Sequence, residues 1–344
     1  MKFVFHEAQR QHDPKHFLSS GASQPNPETP ERIDRLLGGA RAAGLEQVEP
    51  HDHGLAPISV VHTPEYVHFL QTVYARWQRI PGASAEVVPN IHPDRRDLSY
   101  PASVVGQAGY HMADSACPIS ADTWQSAYWS AQTAAHAAIM IRTAGESAVY
   151  ALCRPPGHHA FEDVAGGFCF LNNSAIAAQA LRRSHERVAI LDVDLHHGNG
   201  TQGIFYARQD VLTVSIHADP VRFYPFFWGH ASERGEGAGL GYNLNLPLPR
   251  GSGDEAFLSA LDTAFARIAA FAPGAVVVAL GLDAFEGDPF GGLAVSTAGF
   301  RRIGKHCGRI GIPTLIVQEG GYICDALGDN LTAYLTGFRD ATNV

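Results

Sequence analysis

The sequence predicts a single α/β domain with a central, mostly parallel sheet and helices on both faces. Two observations predict it. From about residue 147 onward, short β-branched apolar runs alternate with polar or Gly-rich clusters and then with stretches of helical character. Each run is continuous rather than alternating, as strands covered on both faces require. The chain has no Pro/Ser-rich linker after residue 140 and no internal repeat, so one catalytic domain spanning residues 1–344 is expected.

Taken in order, the opening Met-Lys-Phe-Val-Phe-His-Glu reads as a first buried strand. Residues 80–101 carry Pro81, Gly82, Pro89, Asn90, Pro93, Asp94 and Pro101 with no sustained period. A loop of that length inside a compact domain serves function or an interface, the plain alternative being a mobile surface insertion. Strands are expected over 148–152, 188–193, 211–216, 275–280 and 314–317. Helices are expected over the Ala-rich 173–183, over 253–271 with apolar residues at helical spacing, and over 297–311.

Composition narrows the function. With 344 residues, 45% hydrophobic, the chain can bury a large core and is not a disordered chain. No apolar run reaches the ~18–20 residues of a membrane span, and the N-terminus lacks the pattern of a secretory leader, so a cytoplasmic protein is expected. The net charge of −9 argues against a duplex nucleic-acid binder. The five cysteines, Cys117, Cys153, Cys169, Cys307 and Cys324, form no C-x-x-C pair. They read as reduced thiols, not as zinc ligands.

Chemistry-bearing residues follow the apolar runs. After the first come Arg154-Pro155-Pro156-Gly157-His158-His159; the second ends in Asp192-Val193-Asp194-Leu195-His196-His197-Gly198. The third ends at His217, the fourth at Gly281-Leu282-Asp283, and the fifth leads into Glu319-Gly320-Gly321-Tyr322. Sites in parallel sheets form beyond the carboxyl ends of the strands, and five such ends point to one edge here. A strand-end Asp is often only a helix cap and a lone His a core residue, but five agreeing ends weigh against that reading.

Asp194-x-His196 projects a carboxylate and an imidazole from one face of an extended segment, and Asp283 supplies a third O/N ligand. Three ligands without cysteine leave a zinc-like ion an open position. His158-His159, on a turn stiffened by Pro155-Pro156, suit general acid–base work, with Asp192 and Asn199 as partners that fix their tautomers. Tyr322 could donate to a carbonyl oxygen as it gains charge. Together these roles describe amide hydrolysis.

These motifs, with Gly167-Phe168-Cys169-Phe170-Leu171-Asn172-Asn173, resemble the histone deacetylase superfamily, in order over nearly the whole chain. Trp77, the Pro-rich loop and Gly106-Gln107-x-Gly109-Tyr110 resemble its bacterial acetylpolyamine amidohydrolase branch. The resemblance implies an arginase/deacetylase fold and one catalytic Zn2+ on Asp194, His196 and Asp283. It implies His159 as general base and then acid, electrostatic support from His158, and Tyr322 polarising the acetyl carbonyl. Phe168 and Tyr224 would wall a narrow channel, and Arg32 matches an arginine at its inner end. One K+ site would involve Asp192, Asp194, His196, Ser215 and Ile216; a second, Phe205, Arg208, Val211 and Tyr242. The 80–101 loop would pack across a homodimer interface and narrow the entrance.

The substrate implied is a small acetylated amine such as acetylputrescine or acetylcadaverine. Val105 and Ala116 stand where bacterial relatives place acidic residues for the cationic tail, and Phe290 where a eukaryotic polyamine deacetylase has a gatekeeping Glu. Asp114 is the nearby substitute, since an ammonium needs a carboxylate or an aromatic face. The alternatives are a deacylase for acetyl-lysine proteins or other small amides, a two-metal ureohydrolase, and a silent ligand-binding relative. Leu195 and His197-Gly198-Asn199 offer no second set of bridging carboxylates for the ureohydrolase, and no metal ligand is lost as in a silent relative. A G-x-S-x-G elbow is missing.

Overall fold

A computed structural model describes residues 1–96 and 99–342, so Asp97 and Leu98 of the Pro-rich loop and the last two residues lie outside the described residues. The sheet has eight strands: β1 (Lys2–Val4), β2 (Glu46–Val48), β3 (Ala148–Ala151), β4 (Val188–Asp192), β5 (Val211–Ala218), β6 (Asn243–Leu248), β7 (Ala275–Leu280) and β8 (Thr314–Gln318). Their order is β2-β1-β3-β8-β7-β4-β5-β6, and every pairing is parallel. The four central strands β3, β8, β7 and β4 are buried throughout, which is why they read as unbroken apolar runs.

Helices α1 (Glu31–Ala42), α2 (Pro64–Trp77), α3 (Val104–His111), α4 (Thr123–Ala144), α5 (Asn173–Arg182) and α6 (Asn199–Phe205) precede β5. Three more follow: α7 (Asp254–Phe271), α8 (Thr297–Gly308) and α9 (Leu327–Thr342). Two cores result. One packs α1, α7, α8 and α9 on the sheet through residues such as Leu36, Phe257, Phe300 and Tyr334. The other packs α2, α4 and α5 on the opposite face through Phe69, Ala134 and Ile176. Local chemistry sets the helix starts: the side chains of Thr63, Asn172 and Ser296 accept backbone N–H bonds at the N-termini of α2, α5 and α8.

The expected strands stand with small changes of boundary. The third continues through His217 to Ala218, so His217 lies inside β5 and not beyond its end. Helix α8 stops at Gly308 because Arg309–Gly311 turns, with Gly311 at φ +73°. Sequence reading passed over β2, β6, a hairpin of His16–Ser19 with Ala22–Pro25, and the 22-residue α4. Among the described residues, no helix is long and apolar enough to cross a membrane.

Candidate active site

The carboxyl ends of β4 and β7, neighbours in the sheet, deliver Asp194, His196 and Asp283 to one point. Asp194 and Asp283 are fully buried and His196 nearly so. A staircase of backbone bonds fixes them: Asp194 N–H donates to Asp192 Oδ1 (3.1 Å) and His196 N–H to Asp194 Oδ1 (2.8 Å). Leu195 N–H donates to Asp283 Oδ1 (3.0 Å) and Gly320 N–H to Asp194 Oδ2 (2.8 Å). His196 Nδ1 then lies 3.1 Å from Asp283 Oδ2 and 3.4 Å from Asp194 Oδ1.

The three offer ligand atoms within 4.8 Å of one another. Two buried carboxylates this close are costly without a cation. In the protein alone His196 plays that part: burial would lower its pKa, but its bonds and charge interactions with Asp194 and Asp283 raise it to about 9. The surrounding backbone is shaped for the pair, since a Cβ at Gly281 would lie 2.1 Å from Asp194 Oδ2 and one at Gly320 2.4 Å from Asp283 Oδ2. The donor set therefore fits a divalent metal with O/N ligands, and a bound cation would keep His196 a neutral ligand.

His158 and His159 stand beside it, ring centroids 4.0 Å apart. Their Nδ1 atoms face unlike partners, Asp192 Oδ2 at 2.9 Å for His158 and Asn199 Oδ1 at 2.7 Å for His159. Burial opposes a charge on both. For His158 the carboxylates of Asp194 and Asp192 outweigh it and hold the pKa up at about 10. For His159 burial acts with the neighbouring imidazoles of His158 and His196, and the pKa falls well below the usual range. The two rings are thus pushed in opposite directions, His158 toward the imidazolium and His159 toward the neutral imidazole.

Tyr322 arrives from the β8 end. Its N–H donates to Asp288 Oδ2 (3.0 Å), and the Arg32 guanidinium lies 5.0 Å from its ring centroid. Arg32 is fully buried, donating to Gly321 O (2.6 Å), Glu319 O (2.7 Å) and Glu28 Oε1 (2.5 Å). Burial raises the Tyr322 hydroxyl well above its ordinary value, so it remains a donor.

Aromatic rings wall the approach. Phe168, held at φ +67°, has Tyr322, Phe290 and Phe17 within 5.6–6.2 Å between centroids. Phe223 stacks on His196 at 5.1 Å, and Tyr224 stands edge-on to His159 at 4.9 Å. Asp114 reaches this wall, yet its Oδ2 accepts from the Tyr224 hydroxyl (2.7 Å) and Gly167 N–H (3.2 Å) and its Oδ1 from Ala116 N–H (2.9 Å). Its carboxylate orients Tyr224 and the Phe168 turn. Val105 and Ala116 are half-buried.

Asp192, the last residue of β4, pairs in register with Ser215 inside β5, and Ser215 Oγ lies 2.8 Å from His217 Nδ1. In the second set, Arg208 stacks its guanidinium 5.0 Å from the Phe205 centroid and ion-pairs with Asp210. Sequence reasoning gave no role to Phe17, Phe223 or Asp288. The contacts of Phe17 and Asp288 join segments far apart in the chain, and the only local signal, an aromatic beside Tyr224, marks Phe223.

A histone deacetylase domain model matches residues 26–338. The chain is 50% identical to an acetylpolyamine amidohydrolase of Burkholderia pseudomallei (strain 1710b), over 98% of each chain. It is 46% identical to acetylpolyamine amidohydrolase 1 of Pseudomonas aeruginosa, over 99% of each. Among solved structures, an acetylpolyamine aminohydrolase from Burkholderia pseudomallei superposes with a TM-score of 0.96 at 49% identity, covering 99% of both chains. The HDA15 HD domain gives 0.81 at 28%, covering 99% of this chain and 90% of that one.

Proposed function

The chain belongs to the histone deacetylase domain family, and from that premise we propose that it removes the acetyl group from acetylated polyamines, yielding acetate and the free amine. The observation that carries the reading is a two-carboxylate, one-imidazole ligand set with two buried histidines beside it, whose Nδ1 atoms face a carboxylate and a carboxamide. Acetylputrescine and acetylcadaverine are the substrates expected.

Asp194, His196 and Asp283 would hold one Zn2+, which when bound acts as a Lewis acid on the amide carbonyl. The protein's own groups divide the remaining work. Neutral His159 takes a proton from the attacking water as the water oxygen bonds to the acetyl carbon. The Tyr322 hydroxyl donates to the carbonyl oxygen as negative charge gathers there. His159 then returns its proton to the amine nitrogen as the C–N bond breaks. His158, whose pKa Asp194 and Asp192 hold up, stabilises the negative charge of the transition state. Phe168, Tyr224, Phe290 and Phe223 exclude water and flank the methylene chain, and an aromatic face can receive the distal ammonium.

Structural K+ at the two sets described above, a homodimer closed by the 80–101 loop, and a cytoplasmic setting complete the reading. The test is kcat/KM for N-acetylputrescine against an acetyl-lysine peptide with zinc-loaded protein, using Asp194→Asn as the blank. Preference for acetylputrescine is expected. Preference for the peptide would keep the hydrolytic chemistry and transfer the substrate to acetylated proteins.

A further inference from the structure

Glu319 is the last residue before the Gly320-Gly321-Tyr322 turn. It is fully buried. Its Oε2 accepts from the backbone N–H groups of Gly157 (2.6 Å) and His158 (3.0 Å), and its Oε1 accepts from Ser174 Oγ in the first turn of α5 (2.7 Å). One side chain thereby ties together the end of β8, the Pro-Pro-Gly turn after β3, and α5. We propose that Glu319 is a positioning residue for the deacetylation assigned above: it fixes the backbone from which both His158 and His159 project.

The geometry argues for position over chemistry. The bond to His158 N–H acts one bond from the Cα that sets the direction of that ring, and His159 is the next residue. The His158 ring must meet Asp192 Oδ2 at 2.9 Å while His159 meets Asn199 Oδ1 at 2.7 Å. Gly157 has no side chain to anchor this stretch, and a Cβ there would lie 2.4 Å from Asn173 N, so the turn is held through its backbone: Pro155 O accepts from Ser130 Oγ (2.9 Å) and Asn173 Nδ2 (3.1 Å), and the two amides that follow donate to Glu319. The same residue's backbone serves Tyr322: its carbonyl accepts from Arg32 Nη2 (2.7 Å), and the next amide, Gly320 N–H, braces Asp194 (2.8 Å). A displacement of Glu319 would be felt by the histidines and the tyrosine together.

A competing reading makes His158, Cys169 and Glu319 a second metal site, since their ligand atoms fall within 4.8 Å of one another. Three donors already fill most of the roughly four lone-pair positions of a carboxylate. Cys169 Sγ is meanwhile engaged as a donor to Gly167 O (3.4 Å). Glu319 here is a hydrogen-bonded support for the backbone of Gly157 and His158.

The experiment compares Glu319→Ala, Glu319→Gln and Ser174→Ala with wild type, each zinc-loaded and each measured on N-acetylputrescine and on an acetyl-lysine peptide. Glu319→Ala should lower kcat on the order of 10²-fold, the scale of a small misplacement, with KM and zinc content close to wild type. Glu319→Gln should recover most of that loss, because its carboxamide oxygen can accept both amides while its NH2 donates to Ser174 Oγ. Ser174→Ala should lower kcat by less than Glu319→Ala and leave KM in place. Wild-type kcat in Glu319→Ala, or a fall in Glu319→Gln as deep as in Glu319→Ala, would overturn the proposal, the second by assigning the effect to charge. Should Glu319→Ala not fold, Glu319→Gln near wild type together with a lowered kcat in Ser174→Ala supports the proposal, and any other result for the pair overturns it. An error in the substrate assignment shows separately, as a wild type that prefers the peptide or turns over neither.

Discussion

The Nδ1 of His158 meets the carboxylate of Asp192 across 2.9 Å, both groups almost wholly buried. The next residue in the chain, His159, meets a carboxamide instead, that of Asn199. Together with the Asp194 carboxylate on the His158 side and burial on the His159 side, this difference in partner pushes the two adjacent rings in opposite directions, His158 up and His159 down.

Replacing Asn199 with Asp should erase that division. A carboxylate 2.7 Å from His159 Nδ1 would favour the imidazolium and raise its pKa. In the proposed mechanism His159 acts as base only when neutral, so the acid limb of kcat/KM should move to higher pH and activity at pH 7 should fall. Profiles of kcat/KM against pH for wild type and Asn199→Asp check this. An unmoved acid limb would remove His159 from the role of base.

Tyr322→Phe deletes one hydroxyl and leaves the ring against Phe290 and Arg32. Loss of a donor to the developing oxyanion should lower kcat by about 10²–10³-fold. Zinc content should stay at wild-type level, since Tyr322 supplies no ligand. Equal losses of activity and metal would make the residue structural.

Removing the metal should do more than stop catalysis. Without the metal, burial and the nearby Asp194 push Asp283 up, and His196 offsets only part of that cost, so the pair destabilises the folded protein. A chelator should abolish turnover and lower Tm, and added Zn2+ should restore both, with Tm rising with metal concentration by mass action. Activity that survives complete metal removal would reject the hydrolytic mechanism.

The ends of β3, β4, β7 and β8 were legible because every residue in those strands is buried, leaving continuous apolar runs that stop where the polar residues begin. Asp194, His196, Asp283, His158, His159 and Tyr322 were legible for the same reason. Helix α4 was not: it buries residues around most of its circumference, including Ser126, Ser130, Gln132 and Thr133, so it shows little of the polar face by which a helix is recognised. Phe17 was invisible because it comes from a short, exposed hairpin and acquires meaning only at 5.6 Å from Phe168. Asp114 stood out in the sequence as a carboxylate, but its bonding did not, since the Tyr224 hydroxyl that donates to it comes from 110 residues away.

At the start of β5, Asp210 accepts from Arg208 (2.9 and 2.6 Å) and from Arg182 (2.7 Å). The bond to Arg208 is the largest influence, followed by burial, which opposes it, and then by Arg182; the carboxyl is held down at about 2. The folded value lies below the roughly 3.9 of an unfolded chain, so the unfolded state binds the proton more readily. The stabilisation is therefore present in full above pH ~4 and disappears as pH falls through the folded value. Asp210→Asn should lower stability at pH 7 by about 1–2 kcal/mol, a figure reduced for the partial exposure of the ion pairs. Denaturant unfolding of wild type and variant from pH 7 down to pH 2 checks it. The gap should close toward the acid end, and a gap constant across that range would show that packing, not charge, holds Asp210 in place.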